Sequence, residues 1–276
     1  MIYRSFVIAF ALLLLGGDSF ALKPRKDYII TPDSLHLNYK ELKITTPDNF
    51  KINTWVMHPS KQADNKTVMV LAYGDAMNMS YWVEQCYYFV QYGYTVISFD
   101  YRGFGHSSPF PIDTNQLYYE EFATDLGSVL DYARTEFKGY KIGIRAMSMG
   151  TIMGVLAGHK APFDFFVGDS FVCDSVGMKN KFLKEKNRSL TLPPGAEQYK
   201  DLLPGLKMPM IVFAGTKDNF TTLADSKAMV AQSKNRKLVS YEGGHLEGIY
   251  VLTAKTFGDK YIGDINGFLS SAKILK

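Results

Sequence analysis

The sequence has only two cysteines, Cys86 and Cys173, among its 276 residues. Two cysteines with no further pattern do not make a disulfide framework, and neither has a histidine at metal-ligand spacing. We therefore expect two buried free thiols, although export of the chain would also permit a disulfide between them. The sequence gives no indication of a metal or a cofactor.

Long apolar runs are also scarce, and the single clear one lies near the start of the sequence, at Phe6–Leu15. Arg4 precedes it, Gly16 and Gly17 break it, and Ser19-Phe20-Ala21 follows. This pattern is typical of a secretory signal peptide, and the run is too short for a membrane span. We predict a signal peptide at 1–21, cleavage after Ala21 and a secreted or periplasmic protein. An uncleaved signal anchor is the alternative. No later segment is apolar enough to span a membrane.

Charge of one sign does not dominate, since 31 basic residues stand against 27 acidic ones. Charged residues make up 21% of the chain, and with 46% hydrophobic residues this excludes wholesale disorder and favours one large domain. The most basic stretch is Lys179–Arg188. A solvated helix face explains it better than a surface for anionic lipid or nucleic acid, so we expect no nucleic-acid partner.

Buried strands and helices alternate along residues 22–276, which predicts an α/β fold with a mostly parallel central sheet and helices on both faces. The predicted strands are Lys43–Thr46, Lys51–His58, Thr67–Tyr73, Tyr94–Phe99, Lys141–Met147, Phe163–Val167, Met208–Ala214 and Lys237–Tyr241. The predicted helices are Tyr81–Gln91, Gln116–Phe137, Ser148–Gly158, Thr222–Ser233 and Leu246–Ser270, the last with a break around Phe257–Asp259. Residues 170–207 are too long for a plain crossover and predict a small helical insertion over the sheet.

Three polar residues follow strands of this predicted sheet, in the order Ser148, Asp218, His245. Carboxyl ends of parallel strands share one edge, where ligands bind. A serine hydroxyl needs a base, histidine titrates near neutrality, and a carboxylate orients the imidazole. We therefore predict a nucleophile, a general base and an orienting acid.

Two other aspartates and two other histidines compete for the roles of acid and base, and their places in the sequence fit these roles less well. Asp225 is expected inside a helix, and Asp169 follows a different strand. His106 and His159 are more typical of structural positions. Candidates for the lining of a substrate pocket are Tyr81, Trp82, Tyr118 and Tyr119.

Three stretches of the sequence are distinctive: Y-G-D-A-M-N-M-S-Y-W at 73–82, F-D-Y-R-G-F-G-H-S-S at 99–108 and A-M-S-M-G at 146–150. They resemble the α/β-hydrolase family, in particular single-domain serine hydrolases of the Bem46 or serine-aminopeptidase kind. The resemblance runs from about Lys43 to the C-terminus and implies an acyl-enzyme on Ser148. It also implies oxyanion donors at the backbone N–H groups of Met149 and Asp75, with Ala76 as second choice for the latter.

The resemblance implies a small-molecule ester or acyl substrate, and carboxylic-ester hydrolysis without a cofactor is the first expectation. A peptidase or a thioesterase of the same mechanism is the alternative. Departures from the family pattern at Tyr73, Asp75 and Ala146 keep open a catalytically silent protein that only binds. Asp75 either opposes the developing negative charge or points away and caps the helix near Ser80.

Overall fold

The computed structural model of the protein describes residues 22–187 and 189–275. A central sheet forms the middle layer of this part of the chain. Its eight strands lie in the order β10-β9-β8-β7-β4-β6-β3-β2. They are β2 Asn38–Thr45, β3 Lys51–His58, β4 Thr67–Ala72, β6 Thr95–Phe99, β7 Lys141–Met147, β8 Phe165–Asp169, β9 Met210–Gly215 and β10 Arg236–Tyr241. Strands β2 and β3 form antiparallel pairs, β2 with β3 and β3 with β6, and every other pair is parallel. The predicted fold class is confirmed.

The described helices of more than one turn match the predicted ones, with shifted ends. They are α1 Val83–Gln91, α2 Tyr119–Glu136, α3 Met149–Lys160, α4 Ser175–Lys186, α6 Leu223–Val230 and α8 Asp259–Ser271, with single turns at α5 Tyr199–Leu202 and α7 Gly248–Val251. The predicted helix 246–270 is two helices, α7 and α8, so the predicted break is confirmed; it spans residues 252–258, and Gly258 takes a φ of 68° immediately before α8. None of these helices is long and apolar enough to cross a membrane.

Helices cover both faces of the sheet, as successive residues of β7 show. Neighbouring side chains of a strand point to opposite faces. The Ile144 side chain packs against α3, where a Cβ on Gly154 would come within 2.4 Å of it. The Arg145 guanidinium faces the other way and lies over the rings of Phe89 in α1 and Tyr261 in α8.

Residues between β8 and β9 hold the helical insertion that the sequence predicts. It contains α4, the short helix α5 and two 3₁₀ turns at Ala196–Gln198 and Leu203–Gly205. The Tyr199 hydroxyl in α5 donates to the Val172 carbonyl at 2.7 Å, which fastens the insertion to the loop after β8.

The segment before the main sheet has a structure that the periodicity did not predict. A two-residue strand, β1 at Lys23–Pro24, pairs in parallel with β5 at Ala76–Met77, outside the eight-stranded sheet. A 3₁₀ turn at Pro32–Leu35 follows, and β2 begins at Asn38, five residues before the predicted start at Lys43. The predicted signal peptide at 1–21 lies outside the described residues.

Candidate active site

Ser148 occupies a sharp turn between β7 and α3. Its backbone φ is 50° and its ψ is −120°, an uncommon conformation that presents the side chain away from the strand. Gly150 permits this turn, because a Cβ there would lie 2.0 Å from the carbonyl oxygen of Ala72 in β4. Ala146 is fully buried under the turn. The pattern of small residues around Ser148 therefore reflects a close approach of α3 to β4.

His245 joins Ser148 to Asp218 through its two ring nitrogens. The Ser148 Oγ lies 3.0 Å from Nε2, and Nδ1 lies 2.8 Å from the Asp218 Oδ2. The three residues come from the ends of β7, β9 and β10. Both distances are within hydrogen-bonding range, so the serine has a base that can accept its proton and the base has an orienting carboxylate.

Thr221 completes the surroundings of Asp218, and the sequence reasoning did not identify it. Its Oγ1 donates to Oδ2 of Asp218 at 2.6 Å, and its backbone N–H donates to Oδ1 at 3.0 Å. The backbone N–H of Phe220 also donates to Oδ1, at 2.9 Å. The spacing of an aspartate followed three residues later by threonine is a turn signal that could have revealed this arrangement.

The electrostatics of the site favour a carboxylate beside an easily protonated imidazole. Burial raises the pKa of Asp218, but the hydrogen bonds from His245 and Thr221 outweigh it and lower the pKa to about 2. Burial lowers the pKa of His245. The hydrogen bond to Asp218 and the negative charges of Asp218, Asp75 and Asp169 outweigh that effect and raise the pKa above its ordinary value.

The side chains of the competing acids and histidines make other contacts and are not hydrogen-bonded to Ser148 or His245. Asp225 is on α6 and forms an ion pair with Lys181. Asp169 ends β8, and its carbonyl oxygen accepts the backbone N–H of Ser148 at 3.1 Å while its carboxylate lies 3.8 Å from Arg145. His106 stacks on Tyr28, and His159 bonds to the carbonyl oxygen of Leu202.

The predicted oxyanion donors lie on two different elements. Met149 is the first residue of α3, where backbone N–H groups have no partner within the helix. Asp75 lies in the loop after β4, and its carboxyl group is close enough to affect the pKa of His245. The cap of the turn at Met79–Trp82 is Asn78, whose Oδ1 accepts the N–H of Ser80 at 3.0 Å, so the idea that Asp75 caps this region is wrong.

Tyr73, a departure from the family pattern, is a buried packing residue. It is fully buried, its ring packs against Tyr101, and its hydroxyl lies 3.4 Å from Oδ1 of Asp100. Asp100 also accepts the backbone N–H of Met79 at 2.8 Å. The F-D-Y-R-G-F-G motif therefore supports the loop that carries Asp75.

A cavity of about 230 Å³ lies beside Thr221, the residue that donates to Asp218. It is lined by Val172, Cys173, Asp174, Gly177, Met178, Lys181, Phe220, Thr221 and Asp225. The Phe220 ring stands edge-on to His245, with centroids 6.1 Å apart. Cys173 is a free thiol, as is the buried Cys86. None of the four aromatic residues suggested as pocket lining (Tyr81, Trp82, Tyr118 and Tyr119) borders this cavity, and Tyr118 is buried and packs against Phe110.

Comparisons with known sequences give a family match and one distant relative. Residues 63–182, less than half of the chain, match the family model described as "Serine aminopeptidase, S33". An uncharacterized membrane protein of Saccharomyces cerevisiae is 24% identical over 163 residues, which cover 57% of this chain and 51% of that protein. The chain thus spans about half of the length of that relative.

Comparisons with solved structures give likenesses over most of the chain. An esterase of Pyrococcus furiosus has a TM-score of 0.72 and 19% identity, covering 90% of this chain and 99% of the esterase. Esterase 2 of Thermogutta terrifontis, solved phosphorylated by paraoxon, has a TM-score of 0.63 and 18% identity, covering 86% of this chain and 95% of that one. At these identities the likeness establishes the fold.

Proposed function

We propose that this chain belongs to the α/β-hydrolase superfamily and is an exported serine hydrolase that cleaves carboxylic esters through an acyl-enzyme on Ser148. The observation that carries the proposal is the continuous hydrogen-bonded path from the Ser148 Oγ through His245 to Asp218, at 3.0 and 2.8 Å. Esterase 2 of Thermogutta terrifontis, which has a similar fold, is phosphorylated by paraoxon. Phosphorylation by such a reagent needs an activated nucleophile, and we propose that Ser148 is one.

The first half of the reaction forms the acyl-enzyme. The Ser148 oxygen attacks the ester carbonyl carbon while its proton passes to Nε2 of His245. The carbonyl oxygen becomes an oxyanion, to which the backbone N–H groups of Met149 and Asp75 donate. When the intermediate collapses, the bond to the leaving oxygen breaks and His245 returns the proton to the departing alcohol.

The second half repeats these steps with water. His245 removes a proton from a water molecule, the resulting hydroxide equivalent attacks the acyl carbon, and the bond to Ser148 breaks as the serine regains its proton. Asp218 keeps the imidazole in the tautomer with hydrogen on Nδ1 and stabilises the imidazolium. Free enzyme and a carboxylic acid result.

Peptide hydrolysis is the second candidate, because the matching family model is described as a serine aminopeptidase. The same nucleophile and base serve both reactions, so substrate panels must separate them. p-Nitrophenyl esters of increasing chain length and aminoacyl p-nitroanilides should be compared under identical conditions. Higher kcat/KM for the anilides than for every ester would replace the ester proposal with a peptidase.

The test of the mechanism is covalent labelling. A fluorophosphonate probe should label the folded protein, peptide mass spectrometry should place the adduct on Ser148, and Ser148→Ala should remove it. Absence of labelling in folded wild-type protein would leave the silent binding protein as the better account. Export is tested separately, by sequencing the N-terminus of protein recovered outside the cytoplasm, where a start at Leu22 is expected.

A further inference from the structure

The loop that carries Asp75 is held by the N-terminal strap, which we define as residues 22–29. The backbone N–H of Lys23 donates to the Asp75 carbonyl at 2.8 Å, and the N–H of Arg25 donates to the Met77 carbonyl at 2.9 Å. These two bonds form the parallel pair of β1 and β5. In the part of the chain that the structure describes, β1 is the strand to which β5 pairs.

Further along the loop, two side chains connect it to the same strap. The amide nitrogen of Asn78 donates to the carbonyls of Arg25 and Asp27, at 3.1 and 2.8 Å. The hydroxyl of Ser80 accepts the N–H of Ile29 at 3.1 Å. The strap therefore contacts the loop at four successive points from Asp75 to Ser80.

The strap is in turn fixed to the body of the domain at both ends. The Leu22 side chain is fully buried, and its N–H donates to the Thr114 carbonyl at 3.0 Å. The Tyr28 hydroxyl donates to Oδ2 of Asp100 at 2.5 Å. Because both ends of the strap are fixed, its middle part can hold the loop that carries Asp75 in a defined position.

The loop needs such support because its backbone is unusual. Met77 has a φ of 75°, in the left-handed region that a methionine rarely adopts. Local preference therefore works against this conformation, and contacts from outside the loop must hold it. The middle of the strap buries little apolar surface, since Arg25, Lys26 and Asp27 are exposed. The strap therefore holds the loop mainly through hydrogen bonds of its backbone groups and only slightly through apolar packing.

We propose that the N-terminal strap is a positioning element for catalysis: it sets the place of the Asp75 backbone N–H and thereby the geometry of oxyanion stabilisation. The inference rests on the proposed function, because it assigns a role to a donor of that site. Donors act on the transition state more than on the bound substrate, so displacement of the loop should lower kcat and leave KM nearly unchanged.

The test removes two strap N–H groups and keeps the extended backbone. The double variant Lys23→Pro/Arg25→Pro loses both donors to the loop, and proline fits an extended segment that already contains Pro24. The matched control Lys23→Ala/Arg25→Ala loses the same side chains and keeps both N–H groups. We expect kcat for p-nitrophenyl acetate to fall about 10- to 100-fold in the proline variant relative to the alanine variant. KM should change less than about threefold.

Equal kcat values in the two double variants would overturn the inference. So would a loss expressed only in KM. If wild-type protein shows neither labelling nor turnover, the proposed function fails and the strap keeps no catalytic role. If the double proline variant lacks a cooperative unfolding transition, the single variants Arg25→Pro and Arg25→Ala give the same comparison with a milder change, and a kcat difference of about threefold or more between them is the expected result.

Discussion

Replacing Asp218 with asparagine tests the orienting role of this residue more sharply than truncation does. Oδ1 of Asp218 accepts two backbone N–H groups, from Phe220 and Thr221, so in Asp218→Asn the amide oxygen must stay at that position. The amide NH₂ then replaces Oδ2, which lies 2.8 Å from Nδ1 of His245. An NH₂ group only donates, so Nδ1 must become an acceptor and the ring hydrogen moves to Nε2. In that tautomer His245 cannot accept the proton of Ser148.

The size of the effect follows from losing the base while the rest of the site remains. A wrong tautomer at this position lowers kcat about 10⁴-fold in a serine protease with the same three residue types. At 1.36 kcal/mol for each factor of ten, this corresponds to about 5 kcal/mol of transition-state stabilisation. We expect a loss of this order for Asp218→Asn, with KM nearly unchanged.

The assay is steady-state hydrolysis of p-nitrophenyl acetate together with the rate of fluorophosphonate labelling, since both need a deprotonated serine. The matched control is Asp225→Asn on α6, which alters the ion pair with Lys181 of α4 and should change kcat less than about threefold. Thermal unfolding of both variants checks that the fold persists. A loss below about tenfold in Asp218→Asn would refute the tautomer argument.

Three further outcomes are expected. Asp75→Asn removes a negative charge that raises the pKa of His245, so the acid limb of the kcat/KM profile should move to lower pH; an unchanged or higher limb contradicts this. Gly150→Ala should lower the free energy of unfolding in urea by about 3 kcal/mol or more, because its Cβ would lie 2.0 Å from a carbonyl oxygen of β4. The control Gly127→Ala, in α2, has no atom within 4 Å of the added Cβ and should raise this free energy by about 0.5–1 kcal/mol. Burial raises the pKa of the Cys86 thiol to about 12, so iodoacetamide at neutral pH should alkylate Cys86 only after denaturation, and its rapid alkylation in the native protein would contradict this burial.

The fold was predictable from the sequence because its signals are local. Continuous apolar runs such as Thr67–Tyr73 and Lys141–Met147 correspond to strands buried on both faces, β4 and β7, within one residue at each end. Helix ends were less well predicted, as in α2, which begins at Tyr119 instead of Gln116. Capping and turn geometry set these ends, and several residues fit them about equally.

The three candidate catalytic residues were predictable from their order in the sequence and from their places after strands. Their distances were not, because Ser148, Asp218 and His245 come together only when β7, β9 and β10 take their places in the sheet. The role of Thr221 and the position of the Asp75 carboxyl near His245 also depend on loops that meet in space. Neither loop has a period that a sequence pattern could reveal.

The sequence by itself determined the α/β class, the alternation of strands and helices, and the identity of the candidate nucleophile, base and acid. Hydrophobic periodicity and turn chemistry act over a few residues and can be read locally. Only the tertiary structure decided that residues 22–29 hold the loop of Asp75, and that Asn78 caps the turn that follows. The strap and the loop are some 50 residues apart along the chain, and their pairing is made by backbone groups that every residue other than proline carries. Such contacts leave no compositional signal, so their specificity comes from the packing that brings the two segments together.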